Sequence, residues 1–299
     1  MQVEINKTLT GNKESIYAMS ADPLDDAYFY TGAANGWAVA WNINDTKEGK
    51  MLAQFPAGIF ALYAFVFEDR KILAIGLNTG GFYLIDVQTQ KIVHQERFAE
   101  AVFAFCKLEN QLWVGGEKGL LLQFDLTKNE VISKKIICEK NVRKLMSYSQ
   151  GLVACLSDGH LWFYDPEKQA TSTLFTHERG VFSLLFLENE QKLVTGGMDA
   201  HMKVWEKKEE SYHLLLSIPA HLFTVYDLKL SPCGRYMASC SRDKHIKIWD
   251  TDTFQVVKVL DKDKYSGAHT HSVNALYWQK DCLVSIGDDR RIILWKIQD

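Results

Sequence analysis

The chain has 299 residues, 47% hydrophobic and 24% charged, with a net charge of −3 at pH 7; this is ample material for a core, excludes a disordered chain and gives no ground for a nucleic-acid partner, whose binders carry a basic excess. No basic segment followed by an apolar one opens the chain, and the longest apolar run, IFALYAFVF at 59–67, is too short for a bilayer, so neither a secretory leader nor a membrane span is expected. The six cysteines (Cys106, Cys138, Cys155, Cys233, Cys240 and Cys282) are scattered without metal-ligand spacing and read as buried reduced thiols of a cytoplasmic protein.

In chain order, the first stretch with strand character is VEINKTL at 3–9, and behind it one unit returns seven times. Each unit opens on a strand beginning with Val or Ile (IYAM, IFAL, VFAF, VRKL, VFSL, VYDL, VNAL), continues through an apolar strand such as LAIGL or LWVGG, and turns. A third strand then ends on a large residue: Trp41, Ile85, Phe124, Tyr164, Trp205, Trp249 and Trp295, spaced 39 to 46 residues apart. An outer strand such as QVVKVL at 255–260 completes the unit. Short, alternating or wholly apolar runs between turn residues are strands, and a period near 40 residues is that of four-stranded propeller blades. The turns AANGW, NTGGF, EKGLL and SDGHL place Gly36, Gly80, Gly119 and Gly159 at one offset, which suits a positive φ in a tight hairpin. The seventh unit stops at WKIQD, directly after its third strand, so VEINKTL is expected to supply its outer strand and close the ring. The expected fold is an all-β, seven-bladed propeller of antiparallel four-stranded blades, one stand-alone domain over 1–299.

Third strands ending in YD, WE and WD, with the repeats LVTGGMDAHMKVWE at 193–206, MASCSRDKHIKIWD at 237–250 and LVSIGDDRRIILWK at 283–296, make the sequence similar to the WD-repeat family of β-propellers. The likeness covers essentially the whole chain and is strongest in units five to seven. It implies a buried network of His, Ser or Thr, Asp and Trp in each of those units: His177, Thr195, Asp199, Trp205; His221, Ser239, Asp243, Trp249; and His269, Ser285, Asp289, Trp295. The chemistry is sound without the family name, because a buried indole N–H can only donate and needs the hydroxyl, whose own hydrogen passes to the imidazole that the carboxylate orients. Units one to four are expected to lack this network and to rely on apolar packing: Asn35, Thr79 and Lys118 replace the Asp, only Asp158 survives, and no His precedes Ile16, Ile59, Val102 or Val142 at the matching offset.

Ser, His and Asp together also spell a hydrolase triad, but a triad occurs once and exposes its nucleophile, whereas this constellation recurs three times with each hydroxyl tied to a Trp. The family likeness implies that partners dock where the first strands begin, around the central channel. The residues that follow the opening Val or Ile there are Tyr17, Phe60, Phe103, Arg143, Phe182, Tyr226 and Asn274, and Met198, Arg242 and Asp288 belong to the same rim. Tyr17, Phe60, Phe103, Arg143, Phe182, Tyr226 and Arg242 are therefore candidate partner-binding residues, since aromatic and Arg side chains dominate hot spots; packing between neighbouring blades is the other reading. His160, His201 and His245 share one turn offset, too far apart across blades for one metal. GGEKG at 115–119 lacks the rest of a phosphate loop, and EKKEE and DKDK are loop surface. The expectation is a non-catalytic scaffold without metal or cofactor, a monomer or a subunit of a larger complex, that binds a protein or peptide and neither nucleic acid nor membrane. The alternative is an enzyme with active groups at the channel mouth, and a third reading, RNA around Arg143 and Arg242, suffers from the acidic balance.

Overall fold

The computed structural model describes residues 1–45 and 49–298. Its strands, β1 to β28, fall into seven antiparallel four-stranded sheets. Blade one is β2–β5 (residues 16–54), blade two β6–β9 (59–96), blade three β10–β13 (102–136), and blade four β14–β17 (142–175). Blade five is β18–β21 (181–219), blade six β22–β25 (225–260), and blade seven β26–β28 (273–298) with β1 (Gln2–Leu9) as its outer strand. All seven large closing residues lie on third strands, so the period read from the sequence is the blade repeat.

The opening strand does close the ring. β1 runs antiparallel to β28 from Gln2 opposite Gln298 to Leu9 opposite Ile292, with a bulge between Ile5 and Lys7 that leaves Asn6 outside the pairing. Leu9 is 6% exposed in the core between blades seven and one, while Val3 and Ile5 pack on the core between blades six and seven. One strand thus seals two seams.

Seven apolar clusters hold the blades together, and each joins two neighbours. The Val or Ile that opens every inner strand (Ile16, Ile59, Val102, Val142, Val181, Val225, Val273) is fully buried. In four seams it sits against a glycine of the preceding blade: a Cβ on Gly32 would come 2.4 Å from Ile59, on Gly76 2.5 Å from Val102, on Gly115 2.6 Å from Val142, and on Gly196 2.7 Å from Val225. Stacked sheets can approach this closely only where the facing position lacks a side chain.

The turn before each third strand keeps a left-handed residue in all seven blades. Gly36, Gly80, Gly119 and Gly159 have φ of 78°, 101°, 71° and 98°, and the same offset holds Ala200, Lys244 and Arg290 at 68°, 77° and 67°. In the last four blades an Asp one position earlier holds the turn, accepting from the backbone N–H of His160 (3.1 Å), His201 (3.1 Å), His245 (3.0 Å) and Arg291 (3.3 Å). A Gly159→Ala substitution is expected to cost about 2 kcal/mol or more, because φ at Gly159 is 98°, beyond the 67° to 77° at which Ala200, Lys244 and Arg290 hold this place, and its Cβ would lie 1.9 Å from the His177 carbonyl oxygen. Chemical denaturation measures it; an unchanged midpoint would mean that the turn relaxes freely.

Among the described residues no helix is long and apolar enough to cross a membrane. Cys106, Cys155, Cys240 and Cys282 are buried, but Cys138 is half-buried and Cys233 exposed, so the expectation of buried thiols holds for four of the six.

Candidate functional site

The inner strands of the blades, β2 (Ile16–Ala21), β6 (Ile59–Phe67), β10 (Val102–Leu108), β14 (Val142–Tyr148), β18 (Val181–Leu187), β22 (Val225–Leu230) and β26 (Val273–Gln279), surround the central channel. Each carries a register shift directly after its opening Val or Ile. The residue skipped by the pairing is Tyr17, Phe60, Phe103, Arg143, Phe182, Tyr226 or Asn274. A bulge re-aims the side chain it carries, and all seven line one cavity of about 970 Å³ at the channel.

Six of these side chains, from Tyr17 to Tyr226, touch in succession around the mouth. Tyr17 meets Phe60 edge-on with ring centroids 5.2 Å apart, and Phe60 stacks on Phe103 at 5.9 Å. The Arg143 guanidinium lies over both Phe103 (4.5 Å) and Phe182 (5.0 Å), and Phe182 meets Tyr226 at 5.7 Å. Asn274, the seventh, donates through Nδ2 to the Ile16 carbonyl and to Asp288 Oδ1, each at 2.8 Å. Tyr17 is 36% exposed and the other six are half-buried. Met198 and Arg242 are exposed, and Arg242 lies 5.8 Å from the Phe223 ring.

One position further along, the inner strands divide into two groups. Blades seven, one, two and three carry Ala275, Ala18, Ala61 and Ala104, and blades four, five and six carry Lys144, Ser183 and Asp227. Lys144 Nζ reaches Asp227 Oδ1 at 2.6 Å across the intervening blade, Lys229 approaches the second oxygen at 3.7 Å, and the Leu276 N–H donates to it at 3.1 Å. Burial pushes the Asp227 carboxyl up, but the two ammonium groups outweigh it and hold the pKa below its usual value.

The networks of blades five to seven are deeply buried. In blade six the Trp249 Nε1–H donates to Ser239 Oγ (2.8 Å), the Ser239 hydroxyl donates to His221 Nε2 (2.7 Å), and the His221 Nδ1–H donates to Asp243 Oδ2 (2.9 Å). The proton order follows from the indole, which can only donate. Burial drives the His221 pKa down, keeping the imidazole neutral. Burial alone would raise the Asp243 carboxyl, but hydrogen bonds from His221, Leu222 and His245 bring it to about 2. Blade five repeats the chain through Trp205, Thr195, His177 and Asp199 at 3.0, 2.9 and 2.9 Å. Blade seven does so through Trp295, Ser285, His269 and Asp289 at 2.9, 2.8 and 2.9 Å, with Arg291 donating to Asp289 through Nε and a terminal nitrogen. Ser239 and Ser285 have no exposed surface, so the triad-like arrangement offers no nucleophile to a substrate.

The family description "WD domain, G-beta repeat" matches residues 168–206 and 212–250, segments that end on the third strands of blades five and six. The chain thus carries WD repeats in blades five and six of a seven-bladed β-propeller. Curated proteins similar to the propeller include Protein HIR1 of Candida albicans, 29% identical over 146 residues that make up 35% of this chain and 16% of that protein. Restriction of telomere capping protein 1 of Candida dubliniensis is 23% identical over 239 residues, 75% of this chain and 21% of that protein. Mitotic checkpoint protein bub3 of Dictyostelium discoideum is 31% identical over 97 residues, 31% of this chain and 28% of that protein. The matched part thus spans less than a third of the length of each of these relatives.

Blade one of the propeller departs from the expected pattern, because it does not lack the network altogether. The Trp41 Nε1–H donates to Thr31 Oγ1 at 2.8 Å, the inner half of the arrangement. Its outer half is replaced, with Asn12 at the histidine position and Asn35 accepting the Trp37 N–H at 3.3 Å. The signal was a Thr ten residues before a Trp, the spacing of Thr195 to Trp205. In blades two to four that position is Ile75, Val114 or Ala154, and the histidine position is Phe55, Phe98 or Cys138. Phe55 packs on Tyr83 and Phe98 on Phe82, so aromatic contacts stand where the hydrogen bonds were. The turn histidines make local contacts: His160 and His201 with Asp158 and Asp199, and His245 near Asp243.

Proposed function

We propose that this propeller is a non-catalytic interaction platform that holds a peptide or a loop of a protein partner on the mouth of its central channel. The observation that carries this reading is the aromatic ring from Tyr17 through Phe103 and from Phe182 to Tyr226, set by seven equivalent bulges. Large rigid rings that remain partly open to solvent are the side chains that supply binding energy at low entropic cost. Nearby Leu222 is 76% exposed and Phe223 54%, which extends the apolar ground over blade six. The seven blades act as one domain in this proposal, in a reducing compartment such as the cytoplasm, to which the buried thiols point.

Tyr17→Ala with Phe60→Ala tests the reading. These side chains contribute to the mouth more than to the buried seams, so the double variant is expected to melt within a few degrees of the wild type. In affinity capture from the source cells it is expected to lose most partners that the wild type retains. Identical partner sets from the two proteins would refute the mouth as the docking face.

A further inference from the structure

Arg143 is the unusual member of the ring. Of the eight arginines in the chain, only Arg143 and Arg291 are half-buried and the rest are exposed. Arg291 is neutralised by Asp289 at 2.6 Å. Among the described residues Arg143 has no ion-pair partner; its Nε donates to Ser157 Oγ at 2.9 Å, and the rings of Phe103 and Phe182 flank the guanidinium. Its terminal amino groups find no acceptor among those residues. Burial lowers the Arg143 pKa, a sign of lost water, yet a guanidinium stays charged throughout the ordinary pH range.

A cation held between aromatic walls with its fork unfilled matches a planar anion, because the two N–H groups and the two carboxylate oxygens meet in parallel. The mouth carries charges of both signs, with the two cations on the side of blades four to six. Arg242 and Arg143 both act on Tyr226, opposed there by Asp288, which accepts from Asn274 on the blade-seven side, and Glu117 acts on Arg143 without pairing with it. A basic side chain from a partner would find the place between Phe103 and Phe182 already filled by the propeller's own cation.

We propose that Arg143 anchors a carboxylate of the bound segment, an Asp or Glu flanked by a bulky apolar residue that lies on the adjoining rings. This rests on the mouth being the docking face. Selection of a displayed random dodecapeptide library on the wild-type propeller is expected to enrich peptides with an acidic residue at one aligned position beside an aromatic or leucine. Changing that Glu to Gln in a synthetic copy, or making Arg143→Gln in the protein, is expected to weaken binding about ten- to a hundredfold, the value of a charge-assisted hydrogen bond. The two changes together are expected to cost little more than either alone, and Arg143→Lys to fall between.

Enriched peptides that lose affinity in Tyr17→Ala/Phe60→Ala but carry no common acid would overturn the carboxylate anchor and leave the docking face intact. No enrichment above a bare support would overturn both. If Arg143→Gln fails to fold, the Glu to Gln peptide pair on the wild type decides the matter alone: equal affinities sink the proposal.

Discussion

Deleting residues 1–9 is expected to abolish the single cooperative unfolding transition of the propeller. β1 supplies the fourth strand of blade seven, so its loss removes a ladder of backbone hydrogen bonds worth on the order of 1 kcal/mol each. It also removes Leu9 from one seam and the Val3 and Ile5 contacts from another, each worth about 1 to 3 kcal/mol. Together these approach the whole stability of an ordinary domain, about 5 to 15 kcal/mol. Differential scanning calorimetry of the truncated chain is expected to show a broad, shifted transition, with a larger hydrodynamic radius in solution. A sharp transition at the wild-type temperature would disprove closure by this strand.

Asp243→Ala is expected to destabilise the protein by about 3 kcal/mol at pH 7, measured by denaturant unfolding. The substitution orphans the buried His221 Nδ1–H and strips the acceptor from the Leu222 and His245 backbone N–H groups. Asn35→Ala, at the matching place in blade one, removes a single long hydrogen bond and is expected to cost less than about 1 kcal/mol. Equal losses from the two would contradict the blade-six network. The pH dependence has a definite sign. A carboxyl held at about 2 rather than 3.8 contributes about 2 kcal/mol that is present above pH 4 and lost as pH falls through 2. His221, with its pKa below 6.5, adds loss in the same direction, because the unfolded imidazole takes up a proton first. In Asp243→Ala the acid-side loss is expected to be shallower than in the wild type.

Much of this was legible because it is written locally. Trp205, Trp249 and Trp295 each stand six residues after an Asp, and a turn needing positive φ announces itself when Gly36 or Gly159 fills it. Ala200, Lys244 and Arg290 adopt the same backbone with no such signal, since a neighbouring Asp side chain holds the turn there. Thr31 gave a fainter signal: it stands ten residues before Trp41, as Thr195 does before Trp205, but blade one lacks the His and Asp that would draw attention to the pair.

The repeat period and its unfinished last unit were enough, by themselves, to determine seven blades and the strand that closes them, because six blades are each held by strands consecutive in sequence and the seventh lacks one strand that only the unassigned opening segment could supply. The mouth was decided only in three dimensions. Whether Phe103, Arg143 and Phe182 pack within seams or face the channel depends on a one-residue bulge, and a bulge is a property of two paired strands rather than of either alone. The Lys144–Asp227 pair, 83 residues apart, likewise exists only because the ring brings alternate blades to a common axis.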